Sequence, residues 1–185
     1  SVGASHVYFN GGVYQPMGSN AAQRVLQGLT EAVVSTNGAI FDTSYLAAGA
    51  IYTNAQVLAH DPALGALPDG GLTKRGAGTL TLSASNTFAG PVTVEQGVLR
   101  LAHAAAVPDL VVVSSNGVLD ADGAVRTVPR LSGAGTCVNG TVRVAAQVSP
   151  GMPGKATPGA TLSLANLTLA PGAAVVCHTA ASGLP

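Results

Sequence analysis

Five short units set main-chain corners at recurrent spacing along this chain, and they constrain its fold more than any other feature. Each is Asn or Gln, then Gly, then any residue, then a large apolar one. They are Asn10-Gly11-Gly12-Val13, Asn37-Gly38-Ala39-Ile40, Gln96-Gly97-Val98-Leu99, Asn116-Gly117-Val118-Leu119 and Asn139-Gly140-Thr141-Val142, separated by 27, 59, 20 and 23 positions. A second echo, Gly76-Ala77-Gly78-Thr79 and Gly133-Ala134-Gly135-Thr136, recurs after 57 positions. Asn-Gly and Gly-x-Gly supply the positive-φ residues that a sharp corner needs. Repeats of roughly 20–30 residues in a chain of short strands indicate a solenoid, in which each coil buries its apolar face against the next.

The segments between corners have strand length and alternate with period two: 79–83, 92–95, 98–101, 141–144, 161–164 and 167–169. One parity is Leu or Val and the other mostly Thr, Ser, Arg or Glu, so one face turns inward and the other meets water. At ~22 residues per coil the chain makes about eight coils of 20–27 residues, stacked over roughly 35–40 Å. Residues 170–177 still read as strand with no polar cap after them, so a longer stack or a covering loop is expected there. Only 21–27 resembles a short helix, and a loop side-branch fits it equally. The Pro/Gly-rich stretch 150–159 reads as a loop inside one domain, 1–185, because strand patterning resumes after it.

Composition supports the same picture. Charged residues make up 9% of the chain, against roughly 25% in ordinary soluble domains, so the wet face is built from Thr, Ser, Asn and Gln. Eight basic and eight acidic residues give no net charge, which leaves no phosphate-neutralising patch and argues against nucleic acid as a partner. Lys74-Arg75 is the one adjacent basic pair, and it reads as a solvated turn. No run approaches the ~18 apolar residues of a membrane helix. No basic region followed by an apolar core opens the sequence, so the targeting segment of an exported protein is expected to have been removed or to lie outside it. Cys137 and Cys177 match neither a zinc nor a redox spacing. A disulfide between them and two buried free thiols both remain open, the thiols being the preferred reading.

Residues 70–101 resemble the autotransporter-associated β-strand repeat, also called the passenger-associated transport repeat. Gly71-Leu72-Thr73-Lys74, Gly76, Gly78-Thr79-Leu80-Thr81-Leu82-Ser83, Asn86-Thr87, Gly90, Gly97 and Leu99 fall on its pattern. The departures are Ala84 where Gly is usual, Phe88 for the commoner Tyr, and Pro91 where Thr often follows the turn. None touches an expected core position. The resemblance implies an all-β fold, a single-stranded right-handed parallel β-helix, exported to the bacterial surface as part of a longer passenger. It implies a role in passenger folding and secretion, with the translocating barrel elsewhere. It carries no catalytic residues.

His6, His60, His103 and His178 are scattered, with no ligand spacing between them. Gly76-Ala77-Gly78 lacks the Lys-Thr and helix of a phosphate loop, and no Gly-x-Ser-x-Gly elbow occurs. The best catalytic lead is Asp120-Ala121-Asp122, two carboxylates of one strand parity, with Asp42 as a rung partner from an equivalent unit. Against it, Asp122-Gly123 fits an ordinary turn, no basic cluster lies near in the repeat frame, and Trp, a common sugar-stacking platform, is absent. The expectation is a non-catalytic secreted or surface scaffold with no catalytic, cofactor or metal site. Loops such as 60–71 and 150–159 would face a glycan or protein ligand of a host or matrix surface. The alternative is a polysaccharide-binding or polysaccharide-degrading β-helix module.

Overall fold

The computed structural model describes residues 3–17, 22–24, 26–45, 49–104, 107–153, 157 and 159–177. Fifteen strands follow one another: β1 (His6–Phe9), β2 (Val13–Tyr14), β3 (Ala22–Arg24), β4 (Glu31–Val34), β5 (Ala39–Asp42), β6 (Ile51–Asn54), β7 (Ala59–His60), β8 (Leu72–Arg75), β9 (Thr79–Leu82), β10 (Val92–Leu101), β11 (Leu110–Gly133), β12 (Thr136–Pro150), β13 (Ser163–Leu164), β14 (Leu167–Leu169) and β15 (Ala174–Val175). Among the described residues one 3₁₀ turn, Pro62–Leu64, interrupts them.

Every ladder between these strands is parallel, and each strand pairs with one that follows or precedes it by a loop of chain rather than a hairpin. The fold is all-β, and the pairing is consistent with a β-helix. Paired residues stand 16 positions apart where β11 meets β12 (Ala124 with Gly140) and 33 apart where β5 meets β8 (Ala39 with Leu72). The spread is wider than the repeat units predict, because the 61–71 loop lengthens one step and the β11–β12 corners shorten another.

Inward residues form continuous rows through the registers. One row is Tyr52, Leu80, Leu99, Leu119, Cys137 and Leu164. Another is Ala39, Leu72, Val92 and Val111. All but Leu164 are buried. Alternation therefore does what the pattern predicts: apolar parities stack on one another and leave water together.

The glycine corners also stack. Gly97 pairs with Gly117, and the neighbouring pairs Val98–Thr79 and Val118–Thr136 extend this column to Gly78 and Gly135. The 57-residue echo is thus one corner, revisited after three register steps. A Cβ on Gly97 would lie 2.4 Å from the carbonyl oxygen of Gly76, and one on Gly135 2.4 Å from that of Ser114. At the other end, Asn37 donates from its main-chain N–H and its Nδ2 to Asn10 Oδ1 at 3.0 and 2.9 Å, so the first two Asn-Gly units form a ladder. Asn139-Gly140 joins neither column: Gly140 pairs with Ala124, and Asn139 turns to Asp120.

Two expectations are corrected. The segment at 21–27 contains strand β3, which pairs with β6 in register (Ala22 with Ile51, Arg24 with Thr53); a helix of two turns is too short to compete with a ladder. Leu167 and Leu169 of β14 do not enter the core but are 37% and 38% exposed. They pair with β12 on one side, and no further strand covers their other side among the described residues.

Candidate functional site

Three polar knots are set into this apolar stack. The first contradicts the sequence reading: Lys74 is not a solvated turn residue but fully buried. Its strand parity is that of Leu72, and its register neighbours are Phe41 and Val94, both core residues. The ammonium group donates to Thr43 Oγ1 at 2.9 Å and to the main-chain oxygens of Arg75, Gly76 and Gln96 at 2.8, 2.7 and 3.0 Å. An ammonium carries three N–H donors and no acceptor, so this cage of oxygens saturates it. Arg75, in contrast, is half exposed and meets Glu95 at 2.8 Å. A pair so exposed contributes little to stability.

Burial pushes the Lys74 pKa down to about 8, with Asp42 opposing, from an ordinary value of 10.5. The sign follows from linkage. Between these two values the unfolded chain holds a proton that the folded chain has shed, so stability rises with pH across that window. Below pH 8 the benefit is lost. The gain is at most about 3 kcal/mol. Urea unfolding from about pH 7 to pH 10.5 should show this rise, and Lys74→Met should remove it; an identical pH profile in both proteins would refute the assignment.

The second knot closes the corner between loop 61–69 and β8. Asp69, whose side chain is wholly buried, accepts from the N–H groups of Gly71 (2.9 Å) and Gly90 (2.8 Å) at Oδ1, and from Ala89 (2.6 Å) at Oδ2. His60 Nδ1 lies 2.7 Å from the same Oδ2. Burial alone would raise this carboxyl's pKa; the Ala89 N–H, His60 and the two glycine N–H groups together hold it below the ordinary value.

The third knot contains the catalytic lead. Asp120 is buried and accepts from Arg100 Nε at 3.0 Å, Asn139 Nδ2 at 2.9 Å and the Asp122 N–H at 2.8 Å. Asp122 has φ +54° and Gly123 φ +69°, so the chain turns there, as the Asp-Gly reading held, and the two carboxylates do not alternate along one strand face. Asp122 sits 3.8 Å from both Arg100 and Arg126. The expected absence of nearby basic residues is therefore wrong. Asp42 is not the rung partner of Asp120: it pairs with Arg75 and is bonded by Ser44 and Gln15.

A signal in the sequence could have found these pairs. Opposite charges recur one register step apart: Arg75 and Glu95 at 20 positions, Arg100 and Asp120 at 20, Asp109 and Arg130 at 21. The remaining candidates scatter. His6 meets Glu31 at 3.3 Å, His103 lies beyond β10, and His178 falls outside the described residues. Cys137 is buried in a core row, where burial pushes its thiol up to about 12, whereas Cys177 is exposed and is not the buried apolar filler expected. Among the described residues no three His, Cys, Asp or Glu side chains gather as metal ligands, and no helix is long and apolar enough to cross a membrane.

Two recesses flank the loop that follows β12. One, of about 270 Å³, is lined by Arg130, Ser132, Gln147 and Ser149; the other, of about 480 Å³, by Thr93, Glu95, Val112, Ser114 and Met152. Ser149 Oγ is buried without a hydrogen-bond partner.

The described residues thus define an all-β protein of stacked parallel strands, its corners tied by buried polar groups. Within it, residues 72–101, which are β8, β9 and β10 with their corners, match the passenger-associated-transport-repeat family. No curated protein and no solved structure matches the chain.

Proposed function

We propose that this chain is a right-handed, single-stranded parallel β-helix of about eight coils, one domain of an autotransporter passenger that is exported to the bacterial surface. It acts there without catalysis, as a scaffold that displays its loops and helps the passenger to fold outside the cell. The observation that carries this reading is the repeat at 72–101 together with its place in the ladders. β8 pairs with β5 on one side and β10 on the other, and β10 pairs onward with β11. The repeat is therefore a stacking unit, with a template surface on both sides. Each coil added to such a stack buries its row against the coil before it, so folding proceeds by local steps and needs no external energy source.

The loops 60–71 and 150–159 are the display surfaces of this reading, adhesin-like in their presentation. The Asp120 carboxylate, with three donors already on it, serves as a corner brace rather than a general acid or base. The test places the chain between an export signal and a translocating barrel and adds protease to intact cells. Surface display is expected, and it should fall when Leu99→Asp breaks the repeat's core row. Retention inside the cell, beside a control passenger that is displayed, would overturn the proposal. Sugar release that depends on Asp120 and Asp122 would do the same in favour of a polysaccharide-processing module.

A further inference from the structure

The Asp69 knot holds a second piece of information, which lies in the number of protons it demands. His60 Nδ1 faces a buried carboxylate oxygen at 2.7 Å, and its Nε2 faces the main-chain oxygen of Gly65 at 3.2 Å. Both partners only accept. A neutral imidazole carries one N–H, and only the imidazolium carries two. Both bonds exist together only when the ring is protonated.

We propose that His60 is a protonation-dependent latch on loop 61–69. As imidazolium it bridges Asp69, in the rigid corner, to Gly65, at the apex of the loop. On losing a proton it keeps the stronger, charge-assisted bond to buried Asp69 and gives up the bond to Gly65. The apex is then held by bonds local to the turn, with Leu64 donating to Asp61 O at 3.0 Å, Leu67 to Leu64 O at 3.1 Å and Ala63 to Asp61 Oδ1 at 3.0 Å. Gly65 has φ +59° and ψ −118° and donates to Pro62 O at 3.2 Å. Leu67, two residues on, is 68% exposed. The loop is clamped in mildly acidic surroundings and loosened in alkaline ones, whatever ligand it presents. This inference does not depend on the proposed export of the chain.

The charged groups facing the ring are Asp69 and Asp61. Asp61 is held below its ordinary value chiefly by the Ser35 side chain, then by the Ala63 N–H. The strand packed beside the ring, β4, places Val34 opposite His60, and the corner 84–91 contains no titratable residue. The Asp69 bond, with smaller help from the Gly65 oxygen and the two acidic charges, raises the His60 pKa above its ordinary 6.5, while burial opposes. The latch's contribution is therefore complete below 6.5 and is lost as pH rises through the raised value. Asp69, with its lowered pKa, stays charged throughout that range.

Ring ¹⁵N resonances of His60 and amide hydrogen exchange of the loop, measured on the intact chain, test the proposal. Both ring nitrogens should be protonated at about pH 5.5, with a midpoint above the ordinary histidine value. Between about pH 5.5 and pH 8.5, protection at Leu64, Gly65 and Leu67, corrected for intrinsic exchange, should fall about tenfold. In His60→Gln the same amides should be weakly protected at both pH values. A midpoint at or below 6.5, or equal protection at the two pH values in the native chain, would overturn the latch. The native titration decides the matter even where the variant does not fold.

Discussion

Leu80→Asp is expected to abolish the cooperative unfolding transition of this protein. Leu80 has no exposed surface and sits in the middle of the row Tyr52, Leu80, Leu99 and Leu119. The substitution removes most of a buried leucine, at about 2–5 kcal/mol. It also sets a carboxylate among apolar neighbours with no donor, adding several kcal/mol unless the acid is protonated. The sum rivals the whole stability of a domain of this size, about 5–15 kcal/mol. Because β9 is paired with β6 on one side and β10 on the other, the damage spreads to both. Denaturant titration followed by far-UV circular dichroism provides the check. A midpoint within experimental error of the native one would show that this row is not the core.

Asp69→Ala should cost about 3–5 kcal/mol, because it leaves buried main-chain N–H groups without an acceptor at about 1–3 kcal/mol each. The change strips acceptors from three main-chain N–H groups, those of Gly71, Ala89 and Gly90, and from the His60 ring. Buried donors without partners carry their full desolvation cost. Asp69→Asn should recover little, because its NH₂ would face one set of these donors. The native carboxyl titrates below its usual 3.8. Its stabilisation is complete above that value and is lost as pH falls through the lowered one. The native protein should therefore show a loss of stability on acidification that Asp69→Ala lacks. Parallel acid titrations of the two proteins would expose a wrong assignment as superimposable curves.

How much of this was legible depended on whether a residue spoke through period or through contact. Thr79-Leu80-Thr81-Leu82 and Val98-Leu99-Arg100-Leu101 announce strand and inward face by alternation alone, and β9 and β10 follow them. The glycine column was visible as a repeat, but not its geometry, since identity does not say which corners lie above one another. Lys74 was misread because an ammonium was valued by its charge, although its parity with Leu72 already placed it inward; the oxygens that make burial tolerable come from three separate segments. His60 and Asp69 stand nine residues apart across an aperiodic loop, and the donors at 89–90 belong to another turn of chain, so no local pattern could join them. The β3 segment failed for the opposite reason: its local pattern was heard, and pairing with β6 overruled it.

The column from Gly78 through Gly97 and Gly117 to Gly135 also says where this architecture can change length. Along it, a Cβ at Gly97 would press on main-chain atoms of Gly76 and Gly78, and one at Gly117 on the main chain of Val94. That edge of the stack admits neither side chains nor inserted residues. Growth has to enter elsewhere, as it has between β7 and β8, where the chain departs from the ladders and returns to them. One edge is thus a fixed seam that keeps the register, while the others are open to new sequence, and a library of grafted loops should be built there.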